Sequence, residues 1–91
     1  MPTDWHPEDI KARIRKSGLS MSEVARRAGV PSHQLRHALI TPREDGERVI
    51  SEFLGIPPQR IWPSRYNKDG QRKRPQPRQN YSRVYLGSNP Q

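Results

Sequence analysis

The side chains best suited to recognition chemistry fall in one short polar stretch, residues 32–37. Arg36 can donate two hydrogen bonds to O6 and N7 of guanine, and Gln34 can pair with N6 and N7 of adenine. His33 and His37 can donate to N7 or O6 or contact a phosphate. Ser32 lies where a helix N-terminus would meet a base edge or a phosphate. These residue types favour hydrogen bonding in the major groove of duplex DNA.

Residues 20–39 predict the two helices and the sharp turn that would position this stretch. Ser20 can cap the first helix, with Glu23 three residues later closing a capping box. Gly29 can adopt the positive φ that a sharp helix exit needs, and Pro31 then suits the start of a second helix. This arrangement is typical of a helix-turn-helix, in which the second helix enters the major groove.

The second helix of this pair should present its polar side chains to the groove. At 100° per residue, His33 and His37 point away from the apolar edge, and Gln34 and Arg36 lie on the flanks. The apolar edge is formed by Leu35, Ala38 and Leu39. Four further cations suit phosphate contacts, namely Arg26, Arg27, Arg43 and Lys16.

Other chemistries are poorly represented in the sequence. His33 and His37 have the i, i+4 spacing of a metal pair, but the chain has no cysteine and no third ligand is nearby in sequence. The acidic pairs Glu8–Asp9 and Glu44–Asp45 fit a helix start and a solvated loop better than acid–base catalysis. No serine lies in a glycine-rich elbow. We therefore expect no catalytic site, no metal and no cofactor.

Composition points to a small, non-membrane protein with an anionic partner. The 91 residues allow one domain, and the formal net charge of +8 favours nucleic acid or an acidic surface. The absence of cysteine suits a reducing cytoplasm. The N-terminus shows no signal-peptide pattern, and no apolar run reaches transmembrane length.

The apolar periodicity predicts an all-α domain of five helices over residues 1–66. The first helix starts near Pro7, with Asp4 or His6 as the cap, and Trp5 packs over the domain as a lid. The fourth helix runs from about Gly46 to Leu54, and its solvent-exposed side carries Glu47, Arg48, Ser51 and Glu52. The fifth helix runs from Pro58 to Ile61 or Trp62. The expected core is Ile10, Ile14, Leu19, Val24, Ala25, Ala28, Leu35, Leu39, Val49, Ile50, Phe53, Leu54, Ile56, Ile61 and Trp62.

Residues 67–91 differ in composition from the preceding domain. Six basic residues against Asp69 alone give this segment 6 − 1 = +5 of the total charge. Pro, Gln, Asn and Ser fill the gaps, which predicts a disordered basic tail that adds affinity for DNA through counterion release.

Several motifs together resemble the Ner family of DNA-binding regulators of Mu-like phages and bacteria. These motifs are Asp4-Trp5-His6, the predicted helix pair over residues 20–39, Gly46-Glu47, and Ile61-Trp62-Pro63-Ser64-Arg65-Tyr66. The resemblance therefore covers about residues 4–66. It implies an all-helical domain similar to λ-type repressors, and a transcriptional regulator with Ser32, His33, Arg36 and His37 on the reading helix. Asp45 stands where the family has lysine, so a loop phosphate contact is lost or moved to Arg43.

Two other functions remain open from the sequence. The helix pair could be a scaffold for a protein-interaction surface marked by Trp5, Tyr81 and Tyr85, or the basic tail could bind RNA. In the motif Ile61–Tyr66, we expect Trp62 to plug the core and Arg65 and Tyr66 to reach the surface. The sequence leaves a homodimer and monomers binding side by side on DNA equally open.

Overall fold

The computed structural model describes residues 3–82, which fold into six α-helices. Within that range the only extended pairing is an isolated antiparallel bridge between Tyr66 and Arg72, and no helix is long and apolar enough to cross a membrane. The predicted all-α class is confirmed. The helices are α1 (Pro7–Lys16), α2 (Met21–Ala28), α3 (Ser32–Ile40), α4 (Glu44–Leu54), α5 (Pro58–Ile61) and α6 (Gln79–Ser82), with a 3₁₀ turn at Pro63–Arg65.

The turn between α2 and α3 forms as the sequence predicts. The Ser20 hydroxyl accepts from the Glu23 backbone N–H at 3.1 Å, and the Glu23 carboxylate accepts from the Ser20 N–H at 3.1 Å. Gly29 ends α2 with φ 75°, a left-handed conformation that costs glycine little. The backbone N–H of Val30 then donates to Ala25 O at 3.0 Å, which closes the turn.

The N-terminus of α4 lies directly against α3. A Cβ atom at Gly46 would come within 2.6 Å of Gln34 O and 2.7 Å of Ala38 Cβ, so this contact requires glycine. The sequence placed the start of this helix at Gly46, but α4 begins at Glu44. Its first turn carries Glu44, Asp45 and Glu47, and carboxylates there interact favourably with the positive end of the helix dipole.

The core fills the space between the first five helices. Of the predicted core, Ala28 is exposed because it borders the open groove between α2 and α4, and Leu19, Phe53, Leu54 and Ile56 are only partly buried around the edge. The buried apolar side chains are Ile10, Ile14, Val24, Ala25, Leu35, Ala38, Leu39, Val49, Ile50, Ile61 and Trp62.

Two polar residues that the sequence predicted on the exposed face of α4 are buried. Glu47 is fully buried between α4 and the C-terminal segment, and Ser51 is buried beside it one turn later. The Ser51 hydroxyl donates to Ile56 O at 2.7 Å, so it satisfies a backbone acceptor at the end of the helix. The helical phase explains the error, because Glu47 and Ser51 share the inward face with Ile50.

Residues 67–82 are not the disordered tail that their composition predicts. Gln76 and Asn80 are buried, and the Gln76 amide donates to the carbonyls of Arg65 and Lys73, each at 2.9 Å. The Asn80 amide donates to Ser64 O at 3.2 Å and to Gln76 Oε1 at 3.0 Å. Specific hydrogen bonds to the preceding motif therefore hold a segment that has too few apolar residues to form a core of its own. Residues 83–91, the rest of the predicted tail, lie outside the described residues.

Candidate nucleic-acid interface

One side of α3 is buried in the core and the opposite side is exposed. Leu35, Ala38 and Leu39 face the core. The exposed side carries four residues at i, i+3, i+4 and i+7, which form one row along the helix. This row, called here the α3 row, consists of His33, Arg36, His37 and Ile40.

Contacts within α3 orient the polar members of the row. Arg36 Nη2 donates to Ser32 Oγ at 3.1 Å, and the Arg36 side chain is exposed. The rings of His33 and His37 meet edge to face with their centroids 5.8 Å apart. Pro31 provides no side-chain cap, and in the first turn of α3 the Gln34 N–H donates to Pro31 O at 3.1 Å. The N–H groups of Ser32 and His33 have no acceptor within the helix. Serine, arginine and two imidazoles thus lie together beside a helix N-terminus that favours an anion.

Gln34 lies at the edge of this surface rather than in the α3 row. It is half-buried and lines a groove with Arg43, Glu44 and Asp45 at the start of α4. Arg43 is exposed there, and its backbone N–H donates to Glu47 Oε2 at 2.8 Å, which fixes the entry to α4. The groove therefore brings Gln34 and Arg43 together, next to two carboxylates that disfavour a phosphate.

The other candidate phosphate contacts are dispersed. Arg26 lies 3.8 Å from Glu23 in an exposed ion pair on α2, and a pair of this kind contributes little free energy. Arg27 borders the groove between α2 and α4, and Lys16 borders a groove beside Trp5 at the end of α1. Within residues 3–82 no group of three potential metal ligands occurs, so the two histidines have no third ligand there.

A buried arginine ties α3 to α4, contrary to the expectation that Arg65 reaches the surface. Arg65 Nη1 donates to Ala38 O in the last turn of α3 at 2.8 Å and to Glu47 Oε2 on α4 at 3.1 Å. Its guanidinium also lies 4.8 Å from the ring centroid of Trp62, which plugs the core as predicted. Arg65 is a positioning residue, because it fixes the end of the helix that carries the α3 row.

The Glu47 carboxylate accepts hydrogen bonds from three parts of the chain. Besides Arg65 and the Arg43 backbone, it accepts from the Tyr66 hydroxyl at 2.8 Å and from Arg72 Nε and Nη2 at 3.3 and 3.1 Å. Burial alone raises the pKa of Glu47, but the hydrogen bonds from Arg72 and Tyr66 and the charges of Arg65 and Arg72 outweigh it and lower that pKa. Burial and the Glu47 carboxylate raise the pKa of Tyr66 well above its ordinary value of 10.0. The cluster is thus ionised at neutral pH, with Tyr66 as a neutral donor.

The two sequence signatures at the ends of the domain contact each other. Asp4 accepts from the Ser64 backbone N–H at 2.9 Å and from the Ser64 hydroxyl at 2.6 Å, and the Trp5 N–H donates to Ile61 O at 2.9 Å. The cap of α1 is therefore His6, whose Nδ1 accepts from the Glu8 N–H at 3.0 Å. These signature residues are structural, because they join the N-terminal segment to α5 and to the 3₁₀ turn.

The candidate site residues expected from the sequence do not include Ile40. Ile40 is the last residue of α3 and is 43 % exposed. Its spacing from His33 and Arg36 was the available signal. Tyr81, expected on a protein-docking face, is also exposed at 56 %, whereas Tyr85 lies outside the described residues. Trp5 is half-buried under the Arg13 guanidinium, which lies 5.4 Å from its ring centroid.

Comparison with known proteins agrees with this geometry. A family model described as winged helix-turn-helix DNA-binding matches residues 4–79. The chain is 50 % identical over 64 residues to sugar fermentation stimulation protein B of Escherichia coli (strain K12), covering 70 % of each chain. It is 43 % identical over 63 residues to the negative regulator of transcription of Escherichia phage D108, covering 69 % of this chain and 86 % of the relative. It is 32 % identical over 69 residues to the Mu-like prophage FluMu DNA-binding protein Ner of Haemophilus influenzae, covering 76 % and 78 %.

Proposed function

The chain belongs to the winged helix-turn-helix DNA-binding family and to its Ner-like transcriptional regulators, and from this premise we propose that it represses transcription by reading duplex DNA with α3. The phage relative named a negative regulator of transcription supports the direction of control. The proposal places the protein on the nucleoid of a bacterium, at a bacterial or prophage promoter.

The α3 row is the observation that carries this proposal. A helix with one buried side and a row of exposed polar side chains has the shape and chemistry that the major groove accepts. Arg36 is the candidate for a bidentate contact with guanine, and His33 and His37 can donate to a neighbouring base or phosphate. Ser32 orients Arg36 in the absence of DNA through the 3.1 Å hydrogen bond.

Gln34 and the surrounding cations have secondary roles in this proposal. Gln34 lies beside Glu44 and Asp45 in the protein groove at the start of α4. It can therefore contact an adenine only if the start of α4 approaches the bases. Phosphate contacts then come from Arg26 on one side of α3 and Arg43 on the other, while Arg27 and Lys16 serve phosphates farther along the backbone. The two carboxylates at the start of α4 restrict how closely a phosphate approaches Arg43.

The proposal is tested by selection from a random duplex library at physiological salt, using the full chain. We expect enrichment of one motif, and either a two-fold or a tandem arrangement would define how copies assemble on DNA. The His33→Ala variant should relax the preference at one position, and a second relaxed position in Gln34→Ala would show that the start of α4 approaches the bases. Binding without enrichment of any motif would contradict the proposal and favour a partner-dependent or non-specific role.

A further inference from the structure

The end of the α3 row is apolar, which base-edge hydrogen bonding does not explain. Ile40 follows His33, Arg36 and His37 in the same register and is 43 % exposed. Within residues 3–82 it is the one large, purely aliphatic side chain that is exposed. An isoleucine that continues a row of hydrogen-bonding side chains leaves apolar surface in water unless a ligand covers it.

We propose that Ile40 is a specificity-determining residue that contacts the 5-methyl group of a thymine. This proposal rests on the proposed function, since it needs α3 in the major groove. The methyl group is the apolar feature that a base pair presents there, and aliphatic side chains recognise it by contact. His33 to Ile40 spans about 10 Å along the helix axis, about three base-pair steps of 3.4 Å, so a helix lying along the groove can place both residues against one site.

The surroundings of Ile40 select DNA rather than an apolar protein surface as its occupant. The row beside it carries the Arg36 guanidinium and two imidazoles, and the exposed Arg43 follows three residues later. An apolar partner would have to desolvate these groups without replacing their hydrogen bonds, which is costly. DNA supplies acceptors for the polar groups and a methyl group for Ile40 on one surface.

The test compares thymine with deoxyuridine, which differs only in the methyl group. Each thymine of the selected site is replaced in turn, and the dissociation constants of the full-length wild type and of Ile40→Ala are measured. For the wild type we expect one position at which deoxyuridine weakens binding about fourfold, the value of one buried methyl group. At that position, Ile40→Ala should bind thymine and deoxyuridine equally well. The Ile40→Val variant should retain part of the difference, and thermal unfolding of each variant checks that the fold is intact.

Equal thymine-to-deoxyuridine penalties in the wild type and Ile40→Ala at every position would overturn the proposal while leaving the proposed function intact. Loss of cooperativity between two copies in Ile40→Ala, with those penalties unchanged, would also overturn it and assign Ile40 to a contact between copies. Failure of the proposed function itself would give a different result, because no site would be enriched at the selection step. In that case the proposed Ile40 contact would also be wrong.

Discussion

Arg65 Nη1 lies 3.1 Å from Glu47 Oε2, and the two side chains are 2 % and 1 % exposed. The same guanidinium nitrogen donates to Ala38 O, so one buried ion pair connects α3, α4 and the 3₁₀ turn at Pro63–Arg65. A buried charge pair stabilises a fold less by its net energy than by the large cost of leaving one partner alone. The orientation of α3 should therefore depend on buried residues that lie outside the α3 row.

Replacing Glu47 tests how much the buried cluster stabilises the fold that holds α3. In Glu47→Gln the buried Arg65 and the largely buried Arg72 lose their counter-charge, and we expect the free energy of unfolding to fall by about 3–5 kcal/mol. Denaturant unfolding measures this loss. Glu52→Gln on the exposed side of α4 is the matched control and should change stability by less than about 0.5 kcal/mol. Similar values for the two variants would mean that the cluster does not stabilise the fold.

The pH dependence of stability should follow the Glu47 carboxylate. Its pKa in the folded state is lower than the ordinary 4.5, so its contribution is fully present above pH 4.5 and is lost as the pH falls through the folded-state pKa. We expect unfolding midpoints of the wild type to drop in acid below that pH, and those of Glu47→Gln to vary less over the same range. Parallel acid profiles for the two proteins would assign the loss to other carboxylates.

The helix-turn-helix could be predicted from sequence because its signals are local. Ser20 and Glu23 are three residues apart, and Gly29 marks the turn by its own backbone freedom. The orientation of α3 followed from Leu35 and Leu39 on the same helix. The Glu47 cluster could not be predicted in this way, because Arg65 and Arg72 lie 18 and 25 residues away in sequence. A carboxylate on a helix is ordinarily exposed, and only its buried partners reverse that expectation.

The structure of the C-terminal segment, residues 67–82, could not be predicted from the sequence for the same reason. Its composition predicts disorder, yet Arg72 contacts Glu47 and Arg74 lies 3.1 Å from Glu44 in an exposed pair. Composition measures how much apolar surface a segment can bury, and it does not register hydrogen bonds to a distant polar cluster. The sequence analysis selected the polar members of the α3 row as candidate site residues, but it did not select Ile40.

Two truncations test whether the segment after Tyr66 is part of the folded unit. A chain of residues 1–66 lacks Arg72 and its hydrogen bonds to Glu47, whereas a chain of residues 1–82 keeps them. We expect the shorter chain to be less stable than the longer one by at least about 1.5–3 kcal/mol, the value of a hydrogen bond to a charged group. Calorimetry or denaturant unfolding measures the difference. Equal stabilities would restore the predicted boundary at residue 66.

The ion pairs of Arg72 and Arg74 also reduce the number of charges that the segment offers to DNA. Of its cations within residues 3–82, Lys68, Lys73 and Arg78 have no acidic partner in the structure. If each neutralises one phosphate, changing all three to glutamine should lower the slope of log K against log salt by about 2.7 units with the preferred motif unchanged. Arg60→Gln on α5 is the control for a general charge effect. An unchanged slope would show that these cations do not contact DNA.

The most direct test of the central claim is the affinity of Arg36→Ala for the selected site and for random duplex, measured in the full chain at one salt concentration. We predict a loss of about 1–3 kcal/mol on the selected site, relaxed preference at one base pair and little change on random duplex. Arg60→Ala, an exposed arginine outside the α3 row, should leave both affinities unchanged. An equal loss on both duplexes would contradict base reading by α3 and make Arg36 a phosphate contact.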